Sequence, residues 1–254
     1  MANEEYYKKN KNLTNSKLSD FLKDPYYFYQ RHITGELRSP YSDAFLVGKA
    51  VDIWLTESEA KFREQYVAVT RRNLKNPPTD YTELPISQFD LIVKICKKVE
   101  QQQVYKDIIK LGYISQEILK VERDNLGIYF DALAGIPDWY RINDDNIGII
   151  VDLKTSATIN PRQYIYHCED YGYYRQQAMY QMLLAIKYPN VKSFVSRHLV
   201  VEKDTTGIHR VAFFAIDQKK IDVEKLELES LFEKIKSIKE YKPQNLQWED
   251  AIEI

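Results

Sequence analysis

Cysteine and histidine are scarce in this chain, with 2 and 4 copies among 254 residues. Cys96 and Cys168 are too few for a four-cysteine zinc or iron–sulfur site, and they suit a reducing compartment. His32, His167, His198 and His209 show no close ligand spacing, which argues against a zinc enzyme. Long apolar runs are also missing. No stretch approaches the ~20 residues that a membrane span requires, so no membrane partner is expected. The opening Met-Ala-Asn-Glu-Glu-Tyr-Tyr-Lys-Lys has no apolar core of the kind a signal peptide needs, and the expected location is the cytoplasm. An excess of one charge is absent as well: 36 Lys and Arg against 37 Asp and Glu leave a formal net charge of −1. Global electrostatics therefore lend no support to nucleic-acid binding, and any such contact falls to local patches. The basic runs lie at Lys8-Lys9 to Lys17, Arg71-Arg72 to Lys75 and Lys94 to Lys98, and such runs are usually solvated faces.

What is present is a core-forming sequence. Hydrophobic residues make up 44% of the chain, enough for a sizeable core. No repeat or low-complexity stretch divides it. The expectation is one domain over 1–254: a helical part over about 13–111, a sheet core over about 115–216 and a last helix over about 223–239. The 20 tyrosines are mostly core material in such a domain and carry no assigned stacking role.

The chemistry concentrates between positions 138 and 180. Residues Ile128 to Arg141 and Ile147 to Thr155 are rich in β-formers, and the polar run Asn143-Asp144-Asp145-Asn146 separates them, which is a hairpin signal. A turn centred near Asp145 places Asp138 opposite Asp152 on the neighbouring strand. Strand alternation puts Asp152 and Lys154 on one face and turns Val151 and Leu153 into an apolar layer. Like charges facing across a strand pair cost stability unless a cation lies between them, and a hard ion such as Mg²⁺ takes one or two carboxylates with waters and phosphate oxygens. Such an ion polarises a phosphodiester, while a nearby lysine offsets developing negative charge. Gln176 and Tyr180, at i and i+4 on a helix, share a face. Each of these features has an ordinary structural explanation when taken alone; in combination they point to phosphodiester hydrolysis.

Gly135-Ile-Pro-Asp138, Ile150-Val-Asp152-Leu-Lys154-Thr-Ser156 and Gln176-Gln-Ala-Met-Tyr180 resemble the successive motifs of the PD-(D/E)xK nuclease superfamily. The likeness is strongest to its RecE-like branch, the exodeoxyribonuclease VIII type of prophage recombination exonucleases. Leu13 to Tyr29 resembles that branch's opening helix, and Phe45-Leu-Val-Gly48-Lys-Ala-Val-Asp52 its second, so the resemblance runs from about Leu13 to about Tyr188. It implies a mixed central β-sheet flanked by helices, and a Mg²⁺-dependent 5′→3′ exonuclease acting on linear duplex DNA, with Mn²⁺ as the other candidate ion. It further implies a phage- or bacterium-encoded homo-oligomer working beside a single-strand annealing protein. The implied metal ligands are Asp52, Asp138, Asp152 and the Leu153 backbone carbonyl, with Glu117 as a further candidate. The implied catalytic set is Asp138, Asp152, Lys154, Gln176 and Tyr180. One position departs from the pattern: Asp52 stands where that branch has a metal-binding histidine. An aspartate is a harder ligand, suited to Mg²⁺ or Mn²⁺. The exchange fits either a working centre or one that binds without cutting. Glu117 reads equally as a ligand and as a surface residue at an element end. Arg175 and Lys187 are candidate phosphate contacts.

Around these motifs the periodicity predicts a first helix capped at Asn15 or Ser16 and ended by Asp24-Pro25. A second helix is expected over about Asp43 to Leu55, a long loop over Arg71 to Pro85 and a helix over about Ser87 to Leu111. The Gln176 helix is expected over about Arg162 to Tyr188. A second hairpin should pair Ser193 to Glu202 with Ile208 to Ile216, and the last helix should turn Leu226, Phe232 and Ile235 toward a core or a partner. The fold class is α/β. Three functions fit the sequence: a recombination exonuclease, another nuclease of the superfamily such as a structure-specific or single-strand endonuclease, and a catalytically impaired DNA-binding protein on the same fold.

Overall fold

The computed structural model describes residues 11–37, 42–72, 78–124, 126–204 and 207–238. A short strand, β1 (Asn12–Leu13), leads into helices α1 (Asn15–Lys23) and α2 (Pro25–His32). The Thr14 hydroxyl caps α1, and Asp24 ends it while accepting from Tyr26 and Tyr27 N–H to start α2, with Pro25 in the first turn. Helix α3 (Asp43–Asp52), capped by Ser42, runs directly into a π-helical turn over Ile53–Glu57. Then come α4 (Glu59–Gln65), strands β2 (Tyr66–Val69) and β3 (Thr82–Pro85), and helices α5 (Ile86–Glu100) and α6 (Gln103–Lys110). Strands β4 (Ile114–Ser115), β5 (Leu119–Glu122), β6 (Ala132–Gly135), β7 (Trp139–Ile142) and β8 (Ile147–Ser156) follow. The chain continues through α7 (Pro161–Asp170), α8 (Tyr173–Lys187), β9 (Ser193–Glu202), β10 (Val211–Ala215) and α9 (Gln218–Lys236).

The central sheet has the order β10-β9-β8-β7-β4. Strands β8 and β9 run parallel, and the α7–α8 crossover makes that direction possible; the other neighbours are antiparallel. A second sheet, β1-β6-β5, and the parallel pair β2-β3 complete the strands among the described residues. Strand β8 is covered on both faces. Ile150 belongs to a core with Leu18, Phe28, Met179, Leu183 and Phe232. Val151 and Leu153 belong to another with Leu46, Trp54, Ile92, Trp139 and Leu199. Helices on both sides of a mixed sheet give the expected α/β architecture.

The turn expected near Asp145 is present. The Asn143 side chain accepts from the N–H of Asp145 at 3.1 Å and of Ile147 at 2.8 Å. The ladder it starts pairs Ile142 with Gly148 and ends at Trp139 with Val151. Asp138 therefore lies one residue beyond the paired segment, level with Asp152.

Several boundaries differ from expectation. The stretch 128–141 is two strands in different sheets, because Pro137, lacking an N–H, interrupts pairing between β6 and β7. The helices expected over 87–111 and 162–188 are each broken, the second at Gly172, whose φ of +63° ends α7 and starts α8. The expected loop over 71–85 contains β3, paired with β2; its residues 73–77, like the basic residues Lys8 and Lys9, lie outside the described set. Helix α9 starts at Gln218, five residues earlier than expected. It buries Phe232 and Ile235 but leaves Leu226 78% exposed, since the helical stripe runs through Ile221, Leu228 and Leu231.

Gly135 has a steric reason. A Cβ there would lie 2.8 Å from Cε1 of Tyr180 and 3.3 Å from Cδ1 of Leu183. Gly135→Ala is expected to lower stability by about 1–3 kcal/mol through overpacking, read as a lower urea midpoint; an unchanged midpoint would show that the Tyr180 ring yields freely.

Candidate active site

Two carboxylates meet just before β7 begins. Asp138, just outside the ladder, accepts from the Leu153 N–H through Oδ2 at 2.6 Å. Asp52, the last residue of α3, brings its carboxylate to the same side-chain amide that meets Asp138. Helix α3 meets β8 at Gly48, where a Cβ would sit 3.4 Å from Oγ1 of Thr155, an ordinary contact distance. The π-helical turn begins at the next residue, and the Thr56 hydroxyl donates to the Asp52 carbonyl at 2.8 Å, anchoring this end of the helix. Between the two carboxylates stands the side-chain amide of Gln116. Its Nε2 is 3.2 Å from Asp138 Oδ1 and 3.3 and 3.5 Å from the two Asp52 oxygens.

Beside this pair, Asp152 and Lys154 project from one face of β8. Lys154 Nζ forms an ion pair with Asp152 and donates to Gln176 Oε1 at 2.9 Å. The relay continues along α8: Gln176 Nε2 donates to the Tyr180 hydroxyl at 2.9 Å, and that hydroxyl donates to the Ile136 carbonyl at 2.9 Å. The Tyr173 ring lies 4.4 Å from Lys154 Nζ, a cation–π contact. Behind it, His198 on β9 is level with Asp152 and fully buried. It hydrogen-bonds the Tyr164 hydroxyl at 2.8 Å and meets the edge of Tyr173. Burial holds this imidazole well below the ordinary histidine pKa, so it is neutral.

The two carboxylates repel. Burial, followed by the charge of Asp152, raises the Asp52 pKa to about 6, although Asp138 hydrogen bonding opposes the shift. Burial together with Asp52 and Asp152 pushes Asp138 well above the usual carboxylate range. Burial works against the Lys154 ammonium, but Asp152 and the other neighbouring anionic groups overcome it, and its pKa is raised above the ordinary lysine value. Lys154 is therefore a fixed positive charge at neutral pH.

Asp52, Asp138, Asp152, Lys154, Gln176 and Tyr180 thus come together, with Leu153 joining through its N–H. Glu117 does not. It accepts from the Tyr140 hydroxyl and from Lys187 Nζ at 2.5 Å, and these two bonds hold its carboxyl below the ordinary range. Lys187 is thereby an ion-pair partner. Arg175 is buried, donating to Asn15 Oδ1 at 3.0 Å and to Ser19 Oγ at 2.7 Å; it clamps α1 to α8 and is no surface cation. Sequence reasoning missed Gln116 and Tyr173. Tyr173 stands three residues before Gln176, a helical spacing that shares its face and was available as a signal. Gln116 has a φ of +52°, uncommon for a non-glycine residue, which no local pattern announces.

Among the described residues no group of three or more His, Cys, Asp or Glu side chains is placed to hold a metal ion by itself. The donor set is an open pair of facing carboxylates, all oxygen, with a third carboxylate engaged by a lysine. Mg²⁺ is commonly held by one or two carboxylates with waters and substrate phosphate, so these residues fit a hard divalent cation and do not fit a four-ligand zinc site.

Residues 15–249 match the family described as a PDDEXK-like domain of unknown function (DUF3799). The chain belongs to this PDDEXK-like family. Its mixed α/β sheet with flanking helices is the nuclease fold of that superfamily. Among solved structures, a candidate exonuclease from Eubacterium rectale superposes with a TM-score of 0.60 at 15% identity, covering 91% of this PDDEXK-like chain and 83% of its own; the likeness is one of fold. Another, SSO0001, aligns at a TM-score of only 0.30 with 17% identity over 74% of this chain and 84% of its own, too weak to bear on the fold. No curated protein matches the sequence.

The electrostatics of the pair predict a pH dependence. A carboxyl whose folded pKa is raised from the unfolded value near ~3.9 contributes stability that is complete below the unfolded pKa. That contribution is lost as pH rises through about 6 for Asp52. In chelator, wild type is expected to lose roughly 1.5 kcal/mol relative to Asp52→Asn between pH 5 and 8. Urea denaturation of both proteins across that range measures it, and parallel profiles would contradict it.

Proposed function

We propose that this PDDEXK-like domain is a divalent-metal-dependent deoxyribonuclease, an exonuclease that hydrolyses linear duplex DNA. The observation that carries the reading is the facing pair Asp52 and Asp138 set beside the Asp152–Lys154 ion pair, with Gln176 fixing the lysine. In this reading Asp52 and Asp138 hold the cation, with Asp152 and the Leu153 carbonyl as further oxygen donors. When bound, Mg²⁺ or Mn²⁺ supplies Lewis acidity toward the phosphodiester and toward water. Asp52 in place of histidine keeps the donors all oxygen, which favours hard ions.

The protein's own groups divide the remaining work. Lys154, protonated at neutral pH, offsets negative charge that develops on the phosphoryl oxygens and does not act as a general base. Asp152, Gln176 and the Tyr173 ring hold the ammonium in place, so little reorganisation is needed when charge develops. Tyr180, bonded to Gln176 and to the Ile136 carbonyl, ties α8 to the segment that carries Asp138. The Gly135-to-Asp138, Asp152-to-Lys154 and Gln176-to-Tyr180 motifs support a RecE-like assignment, with 5′→3′ polarity, phage recombination, a homo-oligomer and a single-strand annealing partner as its finer content. The fold neighbour described as a candidate exonuclease supports end-dependent cutting.

The deciding assay is digestion of linear against covalently closed circular duplex DNA with Mg²⁺ or Mn²⁺, for wild type and Lys154→Ala. The expected result is loss of linear DNA only, with a drop in rate of about 10²-fold or more in the variant. Cutting of closed circles would instead establish an endonuclease. DNA binding without cleavage under either ion would establish a binding protein on a nuclease fold.

A further inference from the structure

Gln116 occupies an unusual position for a neutral side chain. One nitrogen atom stands within 3.5 Å of three carboxylate oxygens, two from Asp52 and one from Asp138. A primary amide has two N–H bonds, so at least one of them must be shared between two of the three acceptors. All three distances are also long beside the ~2.7–2.9 Å of good charge-assisted hydrogen bonds. The nitrogen is thus centred among the oxygens and optimised for none of them, which is the preference of a cation and not of a directional donor. The cationic group at the site, Lys154, is committed to Asp152 and Gln176. The fourth oxygen of the pair, Asp138 Oδ2, is taken by the Leu153 N–H.

The backbone accommodates this placement. Gln116 has a φ of +52°, in the left-handed region that a non-glycine side chain rarely enters, and its N–H reaches the Asp138 carbonyl at 3.3 Å. Ser115 is paired in β4, where its hydroxyl donates to the Thr56 carbonyl at 2.7 Å, and Glu117 turns outward to Tyr140 and Lys187. The chain is fixed on both sides, and the strained residue between them points its amide into the carboxylate pair.

We propose that Gln116 is a neutral stand-in for the cation: its amide holds Asp52 and Asp138 together in the metal-free protein and leaves the space between them when a divalent ion binds. The inference rests on the metal-binding reading given above. It makes removal of the amide act in two opposite directions. The metal-free protein loses the donor that bridges two like charges, whereas the incoming ion no longer has to displace that donor. A Gln116 that ligated the ion, or oriented its ligands, would weaken ion binding on removal. One that merely filled space would leave ion affinity unchanged.

The test uses the full chain at fixed pH, as wild type, Gln116→Leu and Gln116→Gly, with Mn²⁺ titrated calorimetrically and thermal unfolding followed in chelator. The Leu variant keeps the bulk and deletes the donor. The Gly variant deletes the side chain and relieves the backbone, so it serves where Leu disturbs folding. The expected result is about tenfold tighter Mn²⁺ binding in both variants, as loss of one or two competing hydrogen bonds would give. Gln116→Leu should also unfold about 3 °C lower in chelator, or more. Weaker or unchanged Mn²⁺ affinity in the variants, with wild type binding normally, would overturn the stand-in and leave the metal site standing. Binding in the variants but not in wild type would support it in its strongest form. No Mn²⁺ binding in any of the three would overturn the inference together with the metal reading.

Discussion

The repulsion between Asp52 and Asp138 is the constraint on which the rest of the site depends. Two carboxylates taken largely out of water and set within reach of each other are unfavourable, and the pair persists only because the scaffold holds both ends. Asp52 is delivered by a helix that meets β8 at Gly48 and is continued by a buried π-helical turn. Asp138 stands one residue before β7 enters its ladder and is tied to the neighbouring backbone by the Leu153 N–H. The fold stores an unfavourable interaction, and under the proposed function a bound divalent ion would relieve it, making ion binding and local stability one quantity viewed from two sides.

The sheet divides its labour along a single strand. Ile150, Val151 and Leu153 of β8 are buried in two separate apolar layers, while Asp152 and Lys154 face α8. Helix α8 returns the favour with a stripe of Tyr173, Gln176 and Tyr180, spaced to meet the lysine and the segment before Asp138. The site is therefore carried on regular elements, and the α7–α8 crossover that places the stripe is also what makes β8 and β9 parallel.

Much of this was legible in the sequence, because the informative signals were local. The polar run between two β-forming stretches set the hairpin, and the period of two then dictated that Asp138 lies level with Asp152 and that Lys154 shares its face. The helical spacing of Gln176 and Tyr180 was equally direct. What escaped was tertiary. The strand over 128–141 was split by Pro137 into two sheets, a consequence visible only once β5 and β1 are known to claim β6. Glu117 looked like the acidic neighbour of the site, yet the left-handed backbone at Gln116 exchanges the two positions, turning the amide in and the carboxylate out toward Lys187. Arg175 read as a candidate phosphate contact, with a merely solvated helix charge as the alternative; it is neither, and its partners Asn15 and Ser19 are more than 150 positions away in sequence. Leu226 failed for a simpler reason: six positions before Phe232, it lies about 120° round the helix from the stripe of Ile221, Leu228 and Phe232.

The turn at Asn143 to Asn146 performs no chemistry, but it imposes a parity rule on how the gene can vary. Because side chains alternate along β8, inserting or deleting one residue in that turn would move Asp152 and Lys154 into the apolar layer and bring Val151 and Leu153 out toward α8. A change of two would restore the faces while sliding Asp138 one pair along its partner. Length variation in an exposed loop is ordinarily tolerated. Here a surface segment with no functional side chain is as intolerant of odd-numbered change as the acidic residues whose alignment it sets.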